Sequence, residues 1–166
     1  MTAQESGNQA TVAERLRHEL GLIKESIAGV HGSIVATSDG FLVSHDVPGL
    51  DPTDLAALLS ATKAVTSQGI TATGRGQFRE AISRGTHGYL AVYAAGDSAI
   101  VAVIGDSELN IAMLHFRVRD IIDRIAGYTA EFKRWSSTPV RGSYARQADL
   151  PQLGPSGLPL RRRRSS

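Results

Sequence analysis

The 166-residue chain contains no cysteine. Disulfides, thiolate metal sites and thiol nucleophiles are therefore excluded together, and the absence fits a reducing compartment. Long hydrophobic runs are missing too: stretches such as YLAVYAA fall far short of the ~20 apolar residues that span a bilayer. The opening MTAQESGNQA lacks the charged-then-apolar layout of a secretory signal. These absences give the expectation of a soluble, cytoplasmic protein. No H-E-x-x-H, G-x-S-x-G or G-x-x-x-x-G-K-[ST] motif occurs. The five histidines, His18, His31, His45, His87 and His115, have no metal-ligand spacing. The expectation is a protein without catalytic residues, cofactor or metal.

Charge is present but unevenly placed. Residues 1–132 hold ten Lys/Arg against fifteen Asp/Glu, a net of −5, whereas residues 133–166 hold eight against one, a net of +7. The basic end is rich in Pro, Gly, Ser and Arg and lacks the apolar periodicity of a packed element. The expected organisation is a disordered N-terminus over residues 1–10, one domain over 11–133 and a disordered basic tail over 134–166. In that tail Arg161, Arg162, Arg163 and Arg164 suit weak contact with an anionic membrane and a peripheral location there. Nucleic-acid binding is disfavoured, because no aromatic residues interleave with these arginines and the domain itself is acidic.

Inside the domain, Thr11 to Glu14 reads as a capping box opening a helix with Val12, Leu16, Leu20, Ile23 and Ile27 at helical spacing. Residues 33–37 and 41–44 are β-prone runs around Asp39-Gly40, a hairpin signal because both residues tolerate positive φ. Asp39, His45 and Asp46 also invite a reading as a reaction centre. As a turn, however, Asp39 needs no chemical partner, and His45 and Asp46 read most simply as solvated loop residues. Asp51 and Pro52 suit the start of a second helix, residues 53–72. There Leu55, Leu58, Leu59, Thr62 and Val65 form the expected core stripe, and Ala56, Ala57, Ser60, Ala61, Ala64 and Ser67 the other side. From Leu55 to Ala72 only Lys63 is charged, so a second cover from a partner subunit is expected.

Three strands follow over residues 77–84, 89–95 and 98–104. The last two are nearly continuous apolar runs and belong in mid-sheet; the first mixes Phe78 and Ile82 with Arg79, Glu80 and Arg84 and suits an edge. A third helix, capped by Asp106 or Ser107, carries Ile111, Leu114, Val118, Ile121, Ile122 and Ile125. Between helix two and the first of these strands, TGRGQF has its glycines after a helix and before a strand. That order is the reverse of a phosphate loop, so the stretch reads as a helix end. The fold class is α/β (α+β), order α-β-β-α-β-β-β-α, with a five-stranded, mostly antiparallel sheet and helices on both faces.

In that order, GSIVATSDGFLVS, the low-charge helix, the hairpin GYLAVYAAGDSAIVAVIGD and the closing helix SELNIAMLHFRVRDIIDRI resemble the roadblock/dynein light-chain family over about residues 11–128. The resemblance implies a profilin-like fold and a non-catalytic homodimeric scaffold or regulator that binds a small Ras-like GTPase in bacterial signalling or polarity. It places Ala57, Ser60, Ala61, Ala64, Phe78, Glu80 and Ile82 at the dimer interface. Lys63, Arg75 and Arg79 would contact the partner, with Asp39 and Gly40 serving the structural turn. The other functional class is a ligand-sensing α/β module that binds a small molecule in an apolar pocket.

Overall fold

In the computed structural model, which describes residues 3–136, Val12, Leu16, Leu20, Ile23 and Ile27 are all buried along one side of helix α1, Ala3–Ser26. The helix begins eight residues ahead of the expected capping box. Thr11 Oγ1 donates back to the Gly7 carbonyl, 2.9 Å away, as an interior helical threonine does. Residues 3–10 are thus helical rather than a disordered lead-in. Helix α3, Ile111–Ser136, likewise passes the boundary set at 133. The remainder of the basic tail, including Arg161 to Arg164, lies outside the described residues.

Between these helices run β1 (Val30–Thr37), β2 (Leu42–Asp46), α2 (Pro52–Ala72), β3 (Glu80–Gly85), β4 (Gly88–Ala95) and β5 (Ala99–Asp106). The sheet order is β2-β1-β5-β4-β3, and every neighbouring pair is antiparallel. The apolar strands β4 and β5 lie inside the sheet and mixed β3 forms an edge, as their compositions imply. After the β1–β2 hairpin the chain crosses one face of the sheet as α2 and re-enters at the opposite edge. The β3-β4-β5 meander then brings β5 beside β1.

Alternation along the strands divides the core into two layers. Val35, Ala91, Tyr93, Val101 and Val103 pack beneath α1 and α3. Ile34, Ala36, Val92, Ile100 and Ala102 pack with Ala56 and Leu59 of α2. Each large apolar side chain buried here contributes about 1.5–3 kcal/mol. The first layer also holds a charge: Glu19 is buried on α1, and Arg124 of α3 donates to both carboxylate oxygens at 2.9 and 2.8 Å. That hydrogen bonding raises the guanidinium pKa. Asn110, rather than Asp106 or Ser107, caps α3, its Oδ1 accepting from Met113 N at 3.0 Å.

Candidate interaction surface

Helix α2 begins as its sequence dictates. Asp51 Oδ1 accepts from the backbone N–H groups of Thr53 and Asp54 at 2.8 and 3.3 Å, and Pro52 occupies the first turn, where its missing donor costs nothing. Its rotation about its axis differs from the expected one. Ala56 and Leu59 are the fully buried positions, with Leu55 and Ile70 packed partly beside them. Leu58 and Val65 point outward, 64% and 71% exposed. With Ala57, Ala61, Ala64 and Gln68 they form an outer face that carries no charge. Thr62 and Thr66 donate back to the carbonyls of Leu58 and Thr62, both at 2.8 Å, so these hydroxyls are satisfied within the helix.

The flank of α2 nearest β1 and β2 holds the hairpin. Gly40 N–H donates to the Thr37 carbonyl at 3.0 Å, closing a turn with Ser38 and Asp39 at its centre. Gly40 follows at φ +93°, and a Cβ there would lie 3.4 Å from Ser60 Cβ in a backbone region that β-branched residues resist. The link is therefore three residues long, with the positive φ at Gly40, rather than a two-residue Asp-Gly turn. Ser60 Oγ donates to the Ser38 carbonyl at 2.7 Å, and Lys63 Nζ donates to Ser38 Oγ at 2.6 Å. Ser60 is half-buried in this clamp. Lys63, expected to meet a partner, spends its ammonium on the same turn, which leaves the outer face uncharged.

The free edge of the sheet begins after a buried anchor. Phe78, expected at a dimer interface, precedes β3 and is buried in the α2-side core. Glu80 and Ile82 lie on the α3 side of β3, opposite Tyr93 and Ala91. Glu80 Oε2 is 3.2 Å from His115 Nδ1, and Tyr93 Oη is 3.3 Å from the same nitrogen. Burial, reinforced by the Glu80 charge, raises the Tyr93 phenol well above its ordinary value. On the α2 side Ala81, Leu90, Ala94 and Ile104 are only partly buried. Arg75 is exposed between Gly74 and Gly76, at φ +67° and +92°, with its backbone N–H fixed to the Ile70 carbonyl at 3.0 Å. Arg79 is exposed just before β3, and its carbonyl accepts from Ala94 N at 2.9 Å.

The structure thus brings Ala57, Ala61 and Ala64 onto one open face and sets Glu80 and Ile82 at the sheet edge, across the sheet from α2. The hairpin tip holding Asp39 is separated from His45 and Asp46 by the length of β2, and Asp46 Oδ2 accepts from Lys24 Nζ at 3.0 Å. Sequence reasoning missed Leu58 and Val65 as surface residues. It also missed Phe41, 69% exposed beside the hairpin turn. The available signal was the Ala56–Leu59–Ile70 spacing, which places small Ala56 inward and the larger Leu58 outward.

A five-stranded antiparallel sheet, covered by two helices on one face and crossed by one bare-backed helix on the other, defines an α/β domain of the roadblock, profilin-like class. The Roadblock/LC7 domain model matches residues 24–105 of the chain, from the end of α1 through β5. An uncharacterized Methanocaldococcus jannaschii protein, MJ0310, is 26% identical over 98 residues, covering 58% of this chain and 85% of its own. The Roadblock/LC7 domain from Streptomyces avermitilis superposes with a TM-score of 0.63 at 20% identity, covering 68% of this chain and 96% of that one. The gliding protein MglB from Thermus thermophilus gives a TM-score of 0.66 at 21% identity, covering 72% and 92%. Among the described residues no helix is long and apolar enough to cross a membrane.

Proposed function

We propose that this chain is a homodimeric, non-catalytic scaffold or regulator that binds a small Ras-like GTPase in bacterial signalling or polarity. One observation carries the reading: the outer face of α2 is apolar and uncharged, with Leu58 and Val65 held out of the core. Solvated helix faces normally carry charge, and small residues such as Ala57, Ala61 and Ala64 allow a second helix to approach closely. In a two-fold assembly each copy offers the same patch, so α2 meets α2 and the β3 edges meet or lie close together. The similarity to MglB and the family resemblance support a GTPase as the further partner.

Arg75 is the side chain best placed to reach that partner, since it stands exposed on a glycine-flanked loop at the end of α2. In a scaffold it adds affinity rather than chemistry. Affinity capture in the presence of GDP and of a GTP analogue, with mass spectrometry of the bound proteins, should recover a Ras-like GTPase in one nucleotide state preferentially. Single-turnover hydrolysis by that GTPase should change less than tenfold when Arg75→Ala replaces the parent. A loss of ~10³-fold, the scale of an inserted arginine finger, would make the chain an activating protein instead. Recovery of no GTPase in either state would remove the partner assignment.

A further inference from the structure

His115 Nδ1 is a single nitrogen between two partners of opposite character. Glu80 Oε2, at 3.2 Å, is a carboxylate oxygen that only accepts, whereas Tyr93 Oη, at 3.3 Å, carries a proton it can donate. The two rings meet edge to face with centroids 5.8 Å apart, so the imidazole stays within reach of both partners. We propose that the charge on His115 selects between them: the imidazolium binds Glu80 and ties the free strand β3 to α3, and the neutral ring takes the Tyr93 hydroxyl and lets the edge go. This rests on the reading of β3 as part of the dimer edge and adds a means of regulating it.

The chemistry runs one way. A charged ring must donate from Nδ1, and its bond to a carboxylate is charge-assisted, roughly twice as strong as a neutral one. A neutral ring with its proton on Nε2 presents a lone pair at Nδ1; that lone pair accepts from Tyr93 and repels Glu80. Burial keeps the Tyr93 phenol protonated, so the donor is present whenever the ring is neutral. Few other charges compete. On this side of β3, Arg84 stacks on Tyr89 at 5.6 Å. From α1, Arg15 packs over Tyr128 and Glu19 pairs with Arg124, both farther along α3. On α3 itself Arg119 stands one turn beyond His115. The contact of β3 with α3 is therefore held by the charged ring and lost with the neutral one. Phe78, buried just before β3, anchors the start of the strand in either state.

Hydrogen exchange of the β3 amides, corrected for intrinsic rate and referred to β5, tests this at pH values of about 5 and 8, the interval across which histidines change charge. It is read in the full-length parent and in Ala61→Arg, with self-association measured in parallel. β3 should be about two- to fivefold better protected in acid, the scale of a partly exposed ion pair. Glu80→Gln should erase the difference while leaving β5 protected, and Tyr93→Phe should keep the acid protection. A protection ratio that does not change with pH, or one that still changes in Glu80→Gln, overturns the selector. A parent that is monomeric at both pH values overturns the dimer instead, and the exchange ratio in that monomer still decides the selector.

Discussion

Helices α2 and α3 both bury an apolar side against the same sheet, yet their outer sides differ. Along α3 the exposed positions after the first turns include Arg117, Arg119, Asp120, Asp123 and Arg124, the mixture of a solvated helix. The corresponding positions of α2 are Ala57, Leu58, Ala61, Ala64, Val65 and Gln68. Core packing alone does not explain the difference, because inner residues of both helices, Leu59 and Leu114 among them, are fully buried. What distinguishes α2 is the side turned away from the core, the side that the proposed second copy would cover.

The comparison sharpens first at the core, where the two helices should behave alike. Leu59→Ala on α2 and Leu114→Ala on α3 should each cost about 2–5 kcal/mol in urea unfolding, the usual range for an emptied leucine site. A large inequality would show that one helix contributes little to the domain. Next is the charge inside the α1–α3 layer. Arg124→Ala should cost about 2 kcal/mol, because Glu19 is left buried without its bidentate donor, and Glu19→Gln in the same chain should recover part of the loss. Double-mutant denaturation measures both.

The hairpin clamp beside α2 gives a smaller effect. Gly40→Val should destabilise by about 1–2 kcal/mol, since a β-branched side chain must take up a positive φ and crowd Ser60. Asp39→Asn should stay within about 0.5 kcal/mol and leave partner binding unchanged, because asparagine tolerates the same turn. A well-folded Asp39→Asn protein that lost partner binding would return a charge-specific role to Asp39.

These effects fall where the sequence was easy and where it was hard to read. The element order and the mid-sheet place of β4 and β5 were legible because continuous apolar runs bounded by turn residues leave few alternatives. The edge position of β3 was legible from its charges. The rotation of α2 was not: a helix with apolar residues on both sides has no single amphipathic phase, and the larger Leu58 and Val65 were assigned inward ahead of Ala56. Phe78 was placed on the interface as part of an edge strand over 77–84, as the family resemblance implies, but it lies two residues before β3 and turns into the core. The start of α1 was hidden by a capping-box pattern inside a longer helix. Lys63 could not be separated from an exposed lysine without knowing that Ser38 lies beneath it. The outward position of Ala57, Ala61 and Ala64 was legible because small uncharged residues recur there every three or four positions.

The central claim is that the outer face of α2 is an interface between two copies of the chain. Sedimentation equilibrium of the parent, of Ala61→Arg on α2 and of Ala130→Arg on the exposed side of α3 compares the two helices directly. The account predicts a dimeric parent, a dimeric Ala130→Arg and an Ala61→Arg protein that is folded by circular dichroism but monomeric. An Ala61→Arg protein as dimeric as the parent would contradict it.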